Sequence, residues 1–437
     1  MEWQIILLIF FGSFLLLMVL GLPVAFAFLG VNVIVMYFFW GGASGLQQLA
    51  ESLFTSIASF TLLPIPLFIL MGEVMFRSGQ APQMLEALDM WLGRLPGRLS
   101  LLSVAGGTVF ATLTGASMAS VAMLGSSLVP EMSKRGYKYE MSLGPILGSG
   151  GLAIMIPPSN LAVLLGAVGE ISVGRILIAI IMPGLVMAAT YAAYIIIRVM
   201  MRPDLAPAYA VSSVPLSTRI IAFAKYVVPI FFIVFLVTGL IFVGVATPSE
   251  AAATGSLGTF ILAAIYKKLT WKMVKESVFN TLNMSLMIFL IIAAAYAFSQ
   301  IIAFSGAGNG LVGFALTAPV SPTVIIIVML VVSIFLGMFI NLSAIIMLTI
   351  PLFVPVVKAM GFDPVWFAAA FMITLEMGAI SPPFGLSLFV MKGVAGEGVT
   401  MMDCYKAVMP FLYCNLFSLA IIVLFPIVTQ WLPSLMR

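Results

Sequence analysis

Two proline pairs interrupt apolar stretches that are each long enough to cross a bilayer. Pro157-Pro158 lies in GLAIMIPPSNLAVLLGAV, residues 151–168, and Pro382-Pro383 lies in GAISPPFGLSLFVMKGV, residues 378–394. Proline has no backbone N–H and disfavours the α conformation in the residue before it, so neither stretch can form one continuous helix. Opened backbone persists inside a bilayer only where protein buries it or where it lines a wet cavity. The two breaks therefore predict a binding site near the middle of the membrane.

The composition is that of a membrane protein. Of the 437 residues, 63% are hydrophobic and 8% are charged, and the mean hydropathy is +1.23. Apolar runs of about 20 residues recur along the chain, which predicts membrane-spanning helices and not a β-barrel. The net charge of +4 comes from Lys and Arg residues scattered through loops, a pattern typical of membrane topology and not of nucleic-acid binding.

The sequence repeats itself at a constant offset. Residues of the same type recur at one and the same spacing, namely Pro23 and Pro248, Gly30 and Gly255, Pro130 and Pro355, Pro157 and Pro382, and Pro158 and Pro383. Beyond the second break the offset becomes slightly longer, which a short insertion explains. We interpret the chain as two homologous halves, residues 1–200 and 226–437, joined by a more polar cytoplasmic linker, residues 201–225.

The distribution of basic residues indicates that the halves have opposite orientations. Loop 41–50 has no Lys or Arg, whereas its counterpart 266–275 has four Lys; loop 134–138 is basic, whereas its counterpart 359–363 is not. Basic loops favour the cytoplasmic side, so corresponding loops should lie on opposite sides. The predicted path leaves both termini outside and only Arg175, Lys358 and Arg437 among the 19 basic residues there.

The sequence thus predicts an all-α polytopic membrane protein with two inverted-topology repeats. Each repeat contains a re-entrant helical hairpin, at 100–131 and 324–357, because these segments begin and end on the same side of the predicted membrane. A broken transmembrane helix follows each hairpin, at 140–168 and 366–394. The tip of each hairpin should meet the break in its own half.

Oxygen atoms at these tips and breaks predict two cation sites that flank one anion site. Backbone carbonyls, hydroxyls and amide oxygens suit a small hard cation such as sodium. Half-helix C-termini attract a cation and half-helix N-termini attract a carboxylate. The predicted sodium ligands are Gly115, Ala116, Ser117, Pro157, Ser159 and Asn160 in the first half, and Asn341, Leu342, Ser343, Gly378, Ser381 and Pro382 in the second. The predicted residues for an organic-acid substrate are Ser117, Ser120, Asn160, Asn341, Ser343 and Gly385.

Other readings of single motifs stay open. GASMAS, residues 115–120, could equally form a small-residue face for helix packing. Glu73 lies four residues before Arg77 and is expected to pair with it. Glu250 is expected to cap the helix that follows Thr247-Pro248. Glu376, inside the second broken helix, has no role assigned by the sequence, although intramembrane carboxylates are costly and often functional.

Other function classes fit less well. The chain has no His, which excludes a histidine proton relay and a His-ligated metal, and it has no Walker A sequence. The acidic clusters of membrane enzymes that bind Mg-pyrophosphate are also missing, so no catalytic residue or organic cofactor is predicted. A channel would line its axis with rings of like residues, whereas here two breaks converge on an occluded site. Ion-coupled transport is the favoured function.

Four segments resemble the large membrane subunit of tripartite ATP-independent periplasmic (TRAP) transporters, the DctM-like family. They are LPIPLFILMGEVMFRSG (63–79), GLAIMIPPSN (151–160), ATPSEAAATGSLG (246–258) and GAISPPFGLSLF (378–389). The resemblance implies a sodium-driven secondary importer in a bacterial inner membrane, with periplasmic termini. Its expected partners are a separate small four-helix membrane subunit and a periplasmic substrate-binding protein. Its expected substrate is an organic acid such as a C4-dicarboxylate, a sialic acid or another sugar acid.

The same resemblance implies an elevator mechanism. The transport domain would comprise approximately residues 100–168 and 324–394, and the remaining spans would form the scaffold. It also implies that the sodium sites lie at the hairpin tips and the breaks named above. The alternative is a sodium/anion symporter or antiporter of related architecture that needs no binding protein.

Overall fold

A computed structural model describes residues 3–93, 95–114, 117–207, 214–396 and 398–436, with the side chains of residues 81 and 111–114 outside the description. All regular secondary structure in these ranges is helical, which confirms the predicted all-α class. Five helices of these ranges are long and apolar enough to cross a membrane, or seven if two bent helix pairs are each one span. The chain is therefore a multi-pass helical membrane protein.

The first half contains twelve α-helices within the described ranges. In chain order they are α1 (Trp3–Val19), α2 (Val24–Phe39), α3 (Ala43–Ile57), α4 (Pro64–Arg77), α5 (Ala81–Leu92), α6 (Arg98–Thr114), α7 (Ser117–Lys134), α8 (Tyr139–Gly150), α9 (Leu152–Met155), α10 (Asn160–Val168), α11 (Val173–Ala179) and α12 (Ile181–Met201). Short 3-10 turns lie at Phe60–Leu62 and Pro203–Leu205.

The linker and the second half contribute eleven more. They are α13 (Leu216–Tyr226), α14 (Val228–Phe242), α15 (Pro248–Ile265), α16 (Trp271–Phe304), α17 (Ala307–Thr317), α18 (Pro322–Gly337), α19 (Leu342–Ala359), α20 (Pro364–Ile380), α21 (Leu386–Val394), α22 (Met401–Leu424) and α23 (Ile427–Ser434). Helix bounds follow the sequence repeat: α7 and α19 both have 18 residues, and their first residues, Ser117 and Leu342, are separated by the offset of the proline pairs. The opposite orientation of the halves stays a prediction.

Some helices differ from the predicted path. Helix α3, an amphipathic helix of 15 residues in which Leu46, Leu49 and Leu53 recur at helical spacing, lies where a loop was expected. Helix α13 lies in the predicted linker. Helix α16 has 34 residues and begins at Trp271, well before the predicted span 284–304. The last span, predicted as 407–431, divides into α22 and α23 at Pro426, which cannot donate a helical hydrogen bond.

The core of the molecule is formed by the two broken helices. Residues 365–380 of α20 and residues 141–150 of α8 are all buried. Apart from Glu376, both segments are apolar or small on every side, and a helix of that kind is stable only when surrounded by other helices. By contrast, α1 exposes Leu8 and Leu16, and α14 exposes Phe232 and Phe235. These outer helices present the apolar surface expected against lipid.

Small residues and buried polar bonds hold the helices close together. Gly337 of α18 and Gly378 of α20 pack backbone against backbone, since a Cβ built on Gly378 would lie 2.6 Å from the Cα of Gly337. Such contacts let transmembrane helices approach closely. Farther out, the Asn32 side-chain amide donates to the carbonyl of Ala294 at 2.6 Å and joins α2 to α16.

Candidate functional site

In the first half, the hairpin contacts the broken helix at the C-terminal end of α8. Helix α7 begins at Ser117, whereas Gly115 and Ala116 lie outside the described residues. The Ser117 side chain is buried. A Cβ built on Gly150 would lie 3.3 Å from the Ser117 carbonyl oxygen and 3.6 Å from its Oγ. Because Gly150 has no side chain, the start of α7 can approach the backbone of the broken helix.

The proline pair of the first half lies beyond the short helix α9. The peptide bond between Pro157 and Pro158 is cis. Ser159 caps α10, since the backbone N–H of Ala162 donates to the Ser159 Oγ at 3.4 Å. The Oδ1 of Asn160 is buried and has no hydrogen-bond partner among the described residues. The predicted ligands therefore divide into Ser117 at one end of α9 and the proline loop at the other.

Ser120, another predicted substrate residue, lies one turn into α7. The Ser120 side chain is fully buried, and Ser120 interacts with at least one other residue. The structure thus places this hydroxyl within the core of the hairpin.

In the second half, the hairpin tip also contacts the broken helix. Asn341 caps α19, since the backbone N–H of Ser343 donates to the Asn341 Oδ1 at 2.9 Å, and Leu342 is buried. Four residues before Asn341, Gly337 packs on Gly378 of the broken helix. The structure therefore brings the last turn of α18, just before the predicted tip, into contact with Gly378.

The break after Gly378 is a tight backbone turn. The Pro382-Pro383 peptide bond is cis, and the Ser381 hydroxyl donates to the carbonyl of Met377 at 2.6 Å. A Cβ built on Gly385 would lie 2.6 Å from the Ala379 carbonyl oxygen and 2.8 Å from that of Ser381. Only glycine fits there, and the carbonyl oxygens that crowd it are of the type that coordinates sodium.

The two breaks differ in exposure. Pro157 and Pro158 are both buried, whereas Pro383 and Phe384 are exposed and the Tyr405 hydroxyl donates to the Pro383 carbonyl at 2.7 Å. The first break is enclosed by protein, while the second can be approached from outside the fold.

The broken helices cross over between the halves. Helix α10, after the first break, packs on α19 of the second hairpin, and α21, after the second break, packs on α7 of the first hairpin. A Cβ built on Gly125 of α7 would lie 2.7 Å from the Val394 side chain of α21. Each hairpin is therefore in contact with both broken helices, which joins the two candidate sites into one packed unit.

A cavity of about 1250 Å³ lies beside this unit. Its walls come from the segments around α3, α4, α14, α15 and α16 on one side and from α10, α11 and α19 on the other. It is lined by hydroxyls, including those of Thr55 and Ser172, and by Glu170 and Glu250, and no Lys or Arg of the described ranges lines it. The loop residues that line it, within 59–63, 170–172 and 244–247, belong to segments that the charge pattern predicts to be outside.

Two of the expectations about carboxylates are confirmed. Glu73 forms an ion pair with Arg77 at 3.0 Å, and Arg77 also contacts Glu276 at 2.5 Å. Glu250 forms a capping box with Thr247 at the start of α15. These carboxylates therefore have structural partners.

Two buried polar groups near the breaks were not placed in a site by the sequence. Glu376 and Ser387 are fully buried, and their side-chain oxygens have no hydrogen-bond partner among the described residues. An acidic residue in an otherwise apolar helix was a visible signal for Glu376. Ser387 could not be singled out from the sequence in this way, because a serine near the start of a helix is common.

The sequence as a whole matches a known family. Residues 11–428 match the family described as tripartite ATP-independent periplasmic transporter, DctM component. The C4-dicarboxylate TRAP transporter large permease protein DctM of Rhodobacter capsulatus is 30% identical over 446 residues, covering 98% of this chain and 99% of that protein. The ectoine TRAP transporter large permease protein TeaC of Halomonas elongata is 27% identical, covering 96% and 97%.

The fold is also found among solved structures. MtrF of Neisseria gonorrhoeae, described as one of a class of antimetabolite efflux pumps, superposes with a TM-score of 0.64 at 15% identity, covering 93% of this chain and 95% of MtrF. At this identity the similarity shows a shared membrane-transporter fold.

Proposed function

Because the chain belongs to the DctM component family of tripartite ATP-independent periplasmic transporters, we propose that it imports an organic acid across a bacterial inner membrane, driven by a sodium gradient. The family consists of transporters, so the chain is a transport protein and not an enzyme. The sodium coupling and the acid are the proposed parts of this function.

The buried pair of broken helices carries the proposal. The first break opens backbone inside the core, the second leaves Pro383 and Phe384 exposed, and each hairpin packs on the broken helices. Opened helices supply carbonyl oxygens and helix termini, which bind cations and carboxylates without charged side chains. Sodium would bind at Ser117 and the first break, and at Asn341, Ser343 and the second break.

The substrate class is inferred from relatives. The Rhodobacter capsulatus protein is named for C4-dicarboxylates and the Halomonas elongata protein for ectoine, both of which carry carboxylate groups. These names support a small organic acid, and the resemblance of the sequence to TRAP transporters suggests a C4-dicarboxylate, a sialic acid or another sugar acid. Since none of the residues predicted to bind the substrate is Lys or Arg, helix N-termini, hydroxyls and bound sodium would neutralise the carboxylate.

Two protein partners complete the proposed system. The word tripartite in the family description supports a periplasmic substrate-binding protein and a small membrane subunit in addition to this chain. The binding protein would deliver the acid from the outside, and the small four-helix subunit would contact the lipid-facing helices.

Transport would proceed by an elevator movement. Residues approximately 100–168 and 324–394 would move as one body, since each hairpin packs on both broken helices. The remaining helices would form the scaffold. The cavity of about 1250 Å³ is lined by elements of both groups. The transport domain would therefore move relative to the scaffold along the walls of this cavity.

Uptake into proteoliposomes tests the proposal. The chain is reconstituted with its small subunit, and radiolabelled succinate or sialic acid is supplied bound to the cognate binding protein. An inward sodium gradient should drive accumulation, and replacing sodium with potassium should abolish it. Ser117→Ala and Asn341→Ala should each lower uptake strongly, while Asn309→Ala, at an exposed position in α17, should not.

Three outcomes would contradict the proposal in different ways. Accumulation that does not depend on the sodium gradient would show that sodium is not the coupling ion. Uptake that is equally fast without the binding protein supports a binding-protein-independent symporter or antiporter. Flux that only equilibrates the acid, under any ion gradient, indicates a channel.

A further inference from the structure

Glu376 lies at the centre of the molecule without a hydrogen-bond partner among the described residues. It is in α20, its exposed fraction is 0%, and neither carboxyl oxygen is paired within those residues. Leaving a buried carboxylate unsatisfied is costly, because the group loses its hydration and gains nothing in return. A cation bound to the carboxylate would offset that cost.

The carboxyl group of Glu376 points at the first candidate site, although its helix belongs to the second half. A Cβ built on Gly151 would lie 2.1 Å from the Cγ of Glu376 and 2.5 Å from its Oε1. The preceding residue, Gly150, faces Ser117, since a Cβ built there would lie 3.6 Å from the Ser117 Oγ. The Ser117 hydroxyl, which is 5% exposed, lies beside the Glu376 carboxyl group and interacts with it, but the two are not positioned as a hydrogen bond, and no other described residue bonds to this hydroxyl.

Charged side chains on the helices packed against α20 lie away from Glu376. They lie near helix ends and are exposed or half-buried: Arg175 on α11, Lys358 on α19, Lys392 on α21, and Asp403 and Lys406 on α22. Tyr191, on α12, interacts electrostatically with Glu376, but its hydroxyl donates to Asn415. The described residues therefore provide no cation for this carboxylate.

Helix ends favour a cation at the same place. Helix α8 ends at Gly150, where the backbone N–H of Gly151 donates to the Gly148 carbonyl at 3.2 Å, and the last carbonyls of a helix carry partial negative charge. The N-terminus of α7 at Ser117 has the opposite sign and would attract the carboxylate itself. Carboxylate, hydroxyl and helix-end carbonyls are together a ligand set for a small hard cation.

We propose that Glu376 is a sodium ligand that completes the first candidate site, together with Ser117 and the backbone at the end of α8. The site would then join three elements: the first hairpin, the first broken helix and the second broken helix. This inference rests on the proposed function, because it assigns a further ligand to a sodium site of that transporter. Bound sodium would then contact residues of both halves at the centre of the molecule.

Direct sodium binding to the purified chain with its small subunit tests the inference. The probe is radioactive sodium in a scintillation-proximity assay, titrated with unlabelled sodium and with potassium as the competing control. Glu376→Gln keeps the size of the side chain and removes its charge. It should raise the half-saturating sodium concentration at this site by about tenfold or more, the scale expected for losing one charged ligand.

Two further variants keep the test independent of folding. Gly151→Ala leaves the carboxylate in the protein but displaces it, since the added methyl would lie 2.1 to 2.5 Å from the Glu376 side chain, and it should also weaken sodium binding. Glu86→Gln removes an exposed carboxylate of α5 and should bind sodium as the unmodified protein does. Thermal unfolding is followed with and without sodium for each variant.

The outcomes separate this inference from the proposed function. If the unmodified protein binds sodium and Glu376→Gln binds it equally well, the carboxylate is not a ligand. If Glu376→Gln lowers thermal stability by the same amount with and without sodium, its role is structural and the inference is wrong. If the unmodified protein binds no sodium, the proposed coupling itself fails.

Discussion

Replacing Gly378 with alanine tests the closest helix contact of the core. The new Cβ would lie 2.6 Å from the Cα of Gly337 and 2.9 Å from the carbonyl oxygen of Ile334. Carbon atoms in contact prefer about 3.5–4.0 Å, so α18 and α20 would have to separate by about 1 Å. Both atoms that the methyl meets are backbone, and α20 is buried along its length, so no flexible side chain can absorb the shift. Overpacking of this kind costs about 1–3 kcal/mol.

The assay is thermal unfolding of the purified protein in detergent. Because unfolding of membrane proteins is often irreversible, all variants are compared at one scan rate and by their half-lives at one temperature. Gly313→Ala is the matched control: the site is a helical glycine of α17 with no atom within 4 Å of the added methyl, so this variant should be unchanged or slightly more stable. A Gly378→Ala protein as stable as the Gly313→Ala protein would refute the close packing of α18 on α20.

Two further changes probe polar contacts. Asn32→Ala removes the 2.6 Å bond to the Ala294 carbonyl and should lower stability by about 1–3 kcal/mol in the same unfolding assay, whereas Asn309→Ala, at an exposed position, should not; equal effects would contradict the role of the bond. Thr247→Ala breaks the capping box with Glu250 and should cost about 1 kcal/mol, so an unchanged unfolding temperature would contradict its stabilising role.

The sequence predicted the broken helices well because proline acts on its immediate neighbours. Pro157-Pro158 and Pro382-Pro383 interrupt helices at the places expected from the missing donors. The constant offset between the halves also anticipated helix bounds, since α7 and α19 begin at positions that it relates. The local effect of proline and the internal repeat can both be recognised in a single sequence.

Contacts between distant parts of the chain could not be predicted in the same way. Nothing in the residues around Glu376 indicates that its carboxyl group lies against Gly151, in the other half of the chain. The packing of α10 on the second hairpin and of α21 on the first likewise depends on how the two halves assemble. Helix α3 was missed for another reason: its apolar residues Leu46, Leu49 and Leu53 recur at helical spacing, but its 15 residues are too few and too polar to resemble a membrane span.

The central claim is that two oppositely oriented halves bring their broken helices together around sodium and an acid. Single cysteines introduced as Lys134→Cys and Ala359→Cys test it most directly, because these exposed residues end α7 and α19 at equivalent positions. The buried, free Cys404 and Cys414 are first replaced by serine. A membrane-impermeant maleimide applied to intact spheroplasts should label position 359 and not position 134, and inverted vesicles should give the reverse. Labelling of both positions from the same side would contradict the inverted arrangement and the site built on it.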